Sequence, residues 1–262
     1  MKFIDSHCHL HSLPQDIFSD VSSWVEETQS EGIHRVLSVA ITLDDLPRLS
    51  SISRQYPGFI DISAGIHPSD VQTSSNACIQ ALRQWVLHER VVAIGEIGLD
   101  YFHTKEHIQK QQWAFEAQMQ VAKETGLPVI IHTRDAVDDT LAILKQFPTV
   151  KGVLHCFTES FDMAEAAMNL GYMISFSGII TFKKAAAIRE VVQQVPMSHL
   201  LIETDSPYLA PVPHRGRVNQ PKWVKYVGEE VARIHHRSLE EVAAITTQNY
   251  YRLFHPNVSY ET

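Results

Sequence analysis

Two histidines near the amino terminus stand two positions apart in the stretch Phe3-Ile-Asp-Ser-His-Cys-His9. If this stretch is a β-strand, residues i and i+2 point to the same side, so His7 and His9 face one point and Cys8 faces away. Imidazole nitrogen is a common ligand of Zn²⁺ and related divalent ions. The spacing therefore predicts a two-histidine clamp for a metal ion.

Further histidine and acidic side chains follow later apolar segments, where strands are expected to end. They are His67, Glu96, His132, His155 and Asp205. Imidazole together with carboxylate suits divalent cations such as Zn²⁺, Mn²⁺ or Mg²⁺, and a carboxylate such as Glu96 can bridge two of them. The set predicts a metal centre and allows it to be binuclear.

Each of these residues also has a structural interpretation. A single histidine at a strand end is more often hydrogen-bonded in the core or a loop than bound to a metal. Glu96 or Asp205 alone could cap a helix or form an ion pair. Convergence of several such residues on one place favours the metal centre.

Two side chains are predicted to contact substrate. His67 precedes Pro68 in a turn. Arg134 lies two residues after His132, so it would point to the same place and could hold a phosphate through two hydrogen bonds. A surface ion pair is an equal alternative for Arg134.

One segment matches the sequence motif of a different kind of metal site. His103-Thr-Lys-Glu-His107 fits the H-x-x-E-H metalloprotease pattern. That pattern needs the middle of a helix, whereas this stretch follows a loop and only begins one. We therefore do not assign these histidines to a metal.

The elements that must position these residues are short β-branched runs separated by segments with helical periodicity. The eight runs are 3–6, 35–40, 60–65, 91–95, 129–131, 153–154, 172–175 and 200–203. Alternating strands and helices indicate a parallel sheet, and eight units in this length favour a TIM-type (β/α)8 barrel of the α/β class. An open doubly wound sheet is the competitor, but no G-x-G-x-x-G turn follows the first strand.

The barrel is predicted to be one domain over residues 1–262, because no repeat, linker or low-complexity tract divides the chain. Periodicity predicts a helix over 108–124 and two extra carboxyl-terminal helices over 223–235 and 239–254. Ser238 and Glu241 form a capping box for the last one. We expect both terminal helices to pack outside the barrel.

The composition is that of an ordinary globular protein, with 44% hydrophobic and 20% charged residues. Absence of an apolar run of membrane length or a signal sequence, together with three scattered cysteines, predicts a cytoplasmic protein with free thiols and no membrane contact. No obligate protein partner is evident. A net charge of −8 creates no general attraction for a polyanion, so a phosphate substrate must be bound locally.

In order along the chain, several motifs resemble those of the TatD family of metal-dependent hydrolases, within the amidohydrolase-like barrel superfamily. They are Asp5-Ser-His-Cys-His9, Gly65-Ile-His-Pro68, Gly95-Glu-Ile-Gly-Leu-Asp-Tyr101, Leu127-Pro-Val-Ile-Ile-His-Thr-Arg134, His155-Cys-Phe157 and Glu203-Thr-Asp-Ser-Pro-Tyr208. The resemblance spans nearly the whole chain. It departs from the family pattern at three positions of Arg215-Gly-Arg-Val-Asn-Gln-Pro221, which bears on the substrate.

The resemblance implies a centre of two metal ions. One ion would be held by His7, His9, Glu96 and Asp205, and the other by Glu96, His132 and His155. Related amidohydrolases often bridge their metals with a carboxylated lysine, whereas the fourth strand here ends in Gly95-Glu96. The glutamate favours the TatD-like branch.

These residues predict hydrolysis by a metal-activated water, with Glu96 and Asp205 as catalytic groups; Asp205 would orient the water or take its proton. TatD-like proteins are associated with deoxyribonuclease activity, so DNA ends or single strands, or a small phosphodiester, are the expected substrates. Two alternatives remain. The same barrel could cleave a small C–N, C–O or ester substrate, or the chain could be a non-catalytic protein that binds metal structurally.

Overall fold

Segments rich in β-branched residues form eight parallel strands in the computed structural model, which describes residues 2–18, 20–87 and 90–257. The strands are β1 (Phe3–Cys8), β2 (Ile33–Ser38), β3 (Ile60–Ala64), β4 (Val91–Asp100), β5 (Val129–Arg134), β6 (Gly152–Leu154), β7 (Tyr172–Phe176) and β8 (Leu200–Ile202). Every predicted apolar run coincides with or overlaps one of them. Each strand pairs with its neighbour in chain order.

The sheet curls so that its first strand meets the segment that follows its last. Cys8 and Ser206 form a parallel bridge, and the amide of His9 donates to the carbonyl of Ser206 at 2.7 Å. The amide of Asp205 donates to the carbonyl of His7 at 2.9 Å. These contacts confirm the barrel and exclude an open doubly wound sheet.

Helices pack against the barrel. They are α1 (Gln15–Phe18), α2 (Val21–Ser30), α3 (Leu46–Gln55), α4 (Asn76–Trp85), α5 (Ile108–Thr125), α6 (Val137–Gln146), α7 (Phe161–Asn169), α8 (Ala186–Gln194), α9 (Val224–His235) and α10 (Leu239–Phe254). α5 ends at Gly126, whose φ of 72° suits the left-handed position that closes a helix. The predicted capping box of Ser238 and Glu241 begins α10. α9 and α10 are the two predicted carboxyl-terminal helices.

One of these two helices, α10, packs differently from the prediction. α9 lies outside the barrel, with Gly228 close against Phe3. α10 instead lies across the amino-terminal end, where Tyr250 and Phe254 pack against the apolar side chains that fill the barrel. The side-chain amide of Asn249 donates to the carbonyl of Leu200, at the start of β8, at 2.9 Å. The expectation that both helices pack outside is therefore wrong for α10, because its apolar face closes the open end of the core.

Over residues 2–18, 20–87 and 90–257, every helix is too short or too polar to cross a membrane. The three cysteines are free, as predicted.

Candidate metal centre

The carboxyl ends of the strands bring all six predicted ligands to one mouth of the barrel. His7, His9, Glu96, His132, His155 and Asp205 belong to overlapping groups, and within each group the candidate ligand atoms lie within 4.8 Å of one another. Four of the six residues, His7, His9, Glu96 and His155, are buried. Such a cluster of imidazoles and carboxylates is compatible with a divalent cation.

β1 and the segment after β8 build the first part of the cluster. The Nε2 atoms of His7 and His9 face each other at 3.2 Å. Oδ1 of Asp205 lies 3.4 Å from Nε2 of His9 and 3.7 Å from Nε2 of His7. Three potential ligand atoms therefore surround one point, as the i, i+2 spacing predicts, and Cys8 packs in the outer apolar layer.

Glu96 lies between this group and a second one. Its Oε2 is 3.4 Å from Nε2 of His7. Its Oε1 is 2.7 Å from Nε2 of His155 and 3.1 Å from Nδ1 of His132. Because its two oxygens face different histidines, this one carboxylate occupies the position that a bridging ligand requires.

An irregularity in β4 places Glu96. Its register against β5 shifts between Ile94 and Ile97, so the strand carries an extra residue beside Glu96. Gly98 follows with φ of 139°, and a Cβ there would lie 1.9 Å from the carbonyl oxygen of His132. Only glycine permits β4 to approach β5 this closely. The close approach lies next to the contact between Glu96 of β4 and His132 of β5.

Oxygen acceptors hold the far nitrogens of three histidines. Nδ1 of His9 donates to the carbonyl of Val39 at 2.9 Å. Nε2 of His132 is 3.0 Å from Oδ2 of Asp100, and Nδ1 of His155 is 3.3 Å from Oε1 of Glu203. With a proton held on the far nitrogen, the near nitrogen offers its lone pair to a metal once it releases its own proton.

Asp100 and Glu203 were not singled out from the sequence, although both lie inside the quoted motifs. The signal that could have found them is position. Asp100 is the last residue of β4, and Glu203 directly follows β8, two residues before Asp205. Buried acids at strand ends beside histidines are candidates for orienting them.

His67 lies closer to the centre than a substrate contact requires. Its Nε2 is 3.3 Å from Oε1 of Glu96. Its Nδ1, however, accepts a hydrogen bond from the amide of Ser69 at 3.1 Å, so the proton of the neutral ring is on Nε2. His67 does form a group of potential ligands with Glu96 and His132. In this tautomer, however, its Nε2 carries the proton and faces Glu96, which separates His67 from the other candidate histidines.

The electrostatics of the cluster keep its acids ionised. Burial by itself would raise the pKa of Glu96, but the positive charge of His155, the neighbouring ring of His67 and hydrogen bonds from His132 and His155 hold it well below its usual value. Burial also opposes ionisation of Asp205, and its hydrogen bond with His9 outweighs that and lowers the pKa. Both carboxylates are therefore negative at neutral pH and suited to a cation.

The protonation state of His7 shows whether these residues fit a metal. Burial, followed by the charge on His155, lowers the pKa of His7, so its ring is neutral, as a metal ligand must be. Its Nδ1 is buried and has no hydrogen-bond partner among the described residues. Together with the ionised acids and the oriented histidines, a neutral His7 fits a divalent cation.

The remaining candidates lie outside the cluster. Arg134 is exposed at the end of β5, with its guanidinium 5.2 Å from the ring centre of Phe102, and it forms no ion pair among the residues that the structure describes. His103 is also exposed and contacts Asp100 at 2.9 Å. His107 precedes α5, so the H-x-x-E-H pattern does not lie within a helix.

Comparison with known proteins agrees with this geometry. The profile described as TatD related DNase matches residues 4–255. The metal-dependent hydrolase YcfH of Escherichia coli K12 is 42% identical over 99% of this chain and 98% of its own length. The metal-dependent hydrolase YabD of Bacillus subtilis is 39% identical over 97% and 99%. The names specify metal dependence and hydrolysis, without a substrate.

Solved structures share the fold. The TatD homologue YjjV from Escherichia coli K12 superposes with a TM-score of 0.90 at 30% identity, covering 98% of both chains. A TatD-family hydrolase from Entamoeba histolytica gives 0.85 at 21% identity, covering 98% of this chain and 99% of its own. At that lower identity the likeness concerns the fold alone.

Proposed function

The chain belongs to the TatD-related DNase family of metal-dependent hydrolases, and we propose that it hydrolyses phosphodiester bonds of DNA ends or single strands at a centre of two divalent ions. The observation that carries the binuclear proposal is the position of Glu96, whose two oxygens face different groups of histidines. We assign Zn²⁺, Mn²⁺ or Mg²⁺ as the class of ion.

The residues divide between two sites that share Glu96. His7, His9 and Asp205 would hold one ion with it, since they surround one point and both histidines face Oε2 of Glu96. His132 and His155, which both face Oε1 of Glu96, would hold the other. Bound ions of this kind supply Lewis acidity and lower the pKa of water, which makes it a nucleophile at neutral pH.

Asp205 is suited to the proton transfer. It is ionised, it lies at the mouth, and its side chain is 14% exposed, whereas that of Glu96 is 3% exposed. A carboxylate that solvent reaches can orient the attacking water and accept its proton. His67, which donates to Glu96, would hold the shared carboxylate in place.

Local cations support a phosphate substrate despite the net charge of −8. Loops at the mouth carry exposed basic side chains: Arg134, Lys183, Lys184, Arg215 and Arg217. Because they are few and the molecule as a whole is acidic, we expect weak binding of DNA that decreases with salt.

Removal of metal followed by a substrate panel tests the proposal. Protein stripped with a chelator and then restored separately with Zn²⁺, Mn²⁺ or Mg²⁺ is assayed on bis-nitrophenyl phosphate, DNA oligonucleotides, esters and cyclic amides. We expect phosphodiester turnover to disappear on stripping and to return with at least one ion. Turnover of amides or esters alone would contradict the nuclease proposal and favour the small-substrate alternative.

The variant Glu96→Gln tests the shared carboxylate. The amide removes a negative charge between the two groups, so we expect a loss of phosphodiester turnover of at least about 100-fold and fewer bound ions. The exposed Glu106→Gln, in the loop after β4, is the matched control and should retain full activity. Equal slow turnover by wild type and Glu96→Gln on every substrate would instead indicate a non-catalytic metal protein.

The cytoplasmic location remains a prediction.

A further inference from the structure

A buried asparagine lies in the otherwise exposed loop between β8 and α9. Four residues in a row, Arg215, Gly216, Arg217 and Val218, are exposed to solvent, whereas the next residue, Asn219, is 0% exposed. A buried amide side chain is normally hydrogen-bonded to other polar groups. The partners of Asn219 therefore indicate what it does.

Asn219 binds the segment that carries Asp205, which we call the Asp205 turn (residues 204–208). Its Nδ2 donates to the carbonyl of Thr204 at 2.9 Å and to the carbonyl of Tyr208 at 2.6 Å. Its backbone amide donates to the carbonyl of Pro207 at 3.0 Å. Both protons of the side-chain amide are thus used, one on each side of Asp205.

Asp205 has an uncommon backbone conformation. Its φ is 57°, in the left-handed region that residues other than glycine adopt only rarely. A residue keeps such a conformation only where its surroundings fix it. The direction of the Asp205 carboxylate, whose Oδ1 lies 3.4 Å from Nε2 of His9, therefore depends on what holds the turn.

The two halves of the Asp205 turn are held by different elements. The first half is attached to β1, because the amide and the hydroxyl of Thr204 donate to the two carboxylate oxygens of Asp5 at 2.8 Å and 2.6 Å. The second half is attached to Asn219, which donates to the carbonyls of Pro207 and Tyr208. Asn219 therefore completes the attachment that β1 begins.

We propose that Asn219 is a positioning residue for Asp205: by joining the carbonyls on both sides of it, Asn219 fixes the backbone that directs the carboxylate at the two histidines of β1. This inference rests on the function proposed above. Because Asn219 is buried and its side chain donates to backbone carbonyls, it acts on the reaction through Asp205 and not through substrate. Its loss should therefore affect the ion assigned to Asp205 more than the ion assigned to His132 and His155.

The opposite end of the barrel offers a matched control. Asn249 is also buried, and its Nδ2 also donates to two backbone carbonyls, those of Met197 at 2.7 Å and Leu200 at 2.9 Å. These bonds attach α10 to the amino-terminal end of the barrel. Asn249→Ala therefore removes the same kind of contact as Asn219→Ala and leaves the Asp205 turn intact.

Metal titration of the stripped protein, with Zn²⁺ and in parallel with Mn²⁺, is the first measurement. In Asn219→Ala we expect one of the two ions to bind about 10- to 100-fold more weakly, as when other groups that orient metal ligands are removed. The second ion should bind nearly as in wild type. Asn249→Ala should lower the unfolding temperature as Asn219→Ala does, but it should keep the wild-type affinity for both ions.

Turnover of bis-nitrophenyl phosphate is the second measurement. In Asn219→Ala kcat should fall about 10- to 100-fold with little change in KM, since the contacts with substrate are retained. Asn249→Ala should keep the wild-type kcat. Asn219→Ser keeps a hydroxyl donor and should show a smaller loss of the same kind, and it provides both measurements if the alanine variant does not fold.

Three results would overturn the role of Asn219. They are wild-type ion affinities and kcat in Asn219→Ala, equal weakening of both ions in that variant, and an equal loss in Asn249→Ala, which would attribute the effect to stability in general. Failure of the proposed function is distinguishable from these. Wild-type protein that binds the ions but cleaves no phosphodiester contradicts the hydrolysis proposal, whereas the comparison of ion affinities still decides the role of Asn219.

Discussion

At the candidate metal centre, three of the four proposed ligand histidines are oriented by the partner of the far nitrogen. Val39, Asp100 and Glu203 supply oxygens that keep a proton on the outer side of His9, His132 and His155. His67 has the reverse arrangement, because its Nδ1 accepts from a backbone amide. The residue type is the same in both cases, so the tautomer decides which histidine can bind a cation.

Asp100→Asn tests this orientation. Burial by itself raises the pKa of Asp100, but hydrogen bonds from His132 and His103 lower it, so the native side chain is an ionised acceptor. An asparagine offers a weaker acceptor and can present its amide nitrogen to the ring. We expect metal affinity to fall about 10- to 100-fold, as for other residues that orient metal-binding histidines.

Metal titration of the stripped protein measures this effect. The control is Asp139→Asn, which alters a carboxylate that accepts from Tyr101 and Gln112 and contacts no histidine of the centre. Equal metal affinity in Asp100→Asn and wild type would show that His132 is oriented by other contacts.

Among the elements, β4 contributes most to the site. It is the longest strand, and it carries both Glu96 and Asp100, which contact opposite nitrogens of His132. The shift in register beside Glu96 and the close approach at Gly98 make this double contact possible. The strand therefore works as a rigid support whose local irregularity positions the reacting groups.

Gly98→Ala tests that support. A methyl group would lie 1.9 Å from the carbonyl oxygen of His132, at a φ of 139° that side chains rarely adopt. β4 and β5 must separate to accept it, so we expect loss of metal binding and a fall in the unfolding free energy of at least about 3 kcal/mol. Thermal or denaturant unfolding and metal content measure the two effects.

Gly126→Ala is the matched control. Gly126 also has a positive φ, 72°, but a Cβ there would have no neighbour within 4 Å. Only the left-handed conformation is then penalised, by about 1–2 kcal/mol, and metal binding should persist. If the two alanine variants behaved alike, the close approach of β4 and β5 would not be what matters at Gly98.

Across the whole molecule, stability and chemistry lie at opposite ends of the barrel. At the amino-terminal end Asp61 of β3 accepts from Nη1 of Arg35 at 2.8 Å, from the hydroxyl of Tyr250 at 2.8 Å and from Nε2 of His255 at 2.7 Å. This buried network attaches α10 to the barrel. The candidate metal centre is at the carboxyl end, as functional sites of such barrels are.

The network predicts a pH dependence of stability. Burial by itself raises the pKa of Asp61, but its contacts with His255 and Arg35 outweigh burial and lower it. A group whose pKa is lower in the folded state stabilises the protein above its ordinary value of about 3.9 and loses that contribution as pH falls through the folded value. The contribution of Asp61 should therefore be full at neutral pH and vanish in acid.

Asp61→Asn makes this measurable. Because it leaves the guanidinium of Arg35 without its charged partner, we expect the unfolding free energy to fall by about 3 kcal/mol at pH 7. The difference in unfolding free energy between Asp61→Asn and wild type should become smaller below about pH 4. Denaturant unfolding at several pH values measures it, and kcat of folded protein should be unaffected.

The surface pair Glu31–Lys225 provides the control, since Glu31→Gln should cost less than about 1 kcal/mol. If the difference in unfolding free energy between Asp61→Asn and wild type stayed constant at acidic pH, the pH dependence assigned to the Asp61 carboxyl would be wrong.

The sequence by itself predicted the strands, the barrel and the six side chains that the structure brings together at one mouth. Period-two spacing placed His7 and His9 on one side, and the strand ends marked Glu96, His132 and Asp205, because local patterns and backbone geometry suffice for these inferences. Periodicity also located α10, but it carried no information on which end of the core the helix would cover.

Only the tertiary structure decided the finer arrangement. The contact of Asp100 with His132 and the position of Glu96 between two groups of histidines both depend on atoms from strands far apart in the chain. Distances and proton positions between such atoms follow from the curvature and closure of the sheet. Strand spacing along the sequence does not encode that closure, and for this reason the cluster at the barrel mouth was predictable while the contacts that support it were not.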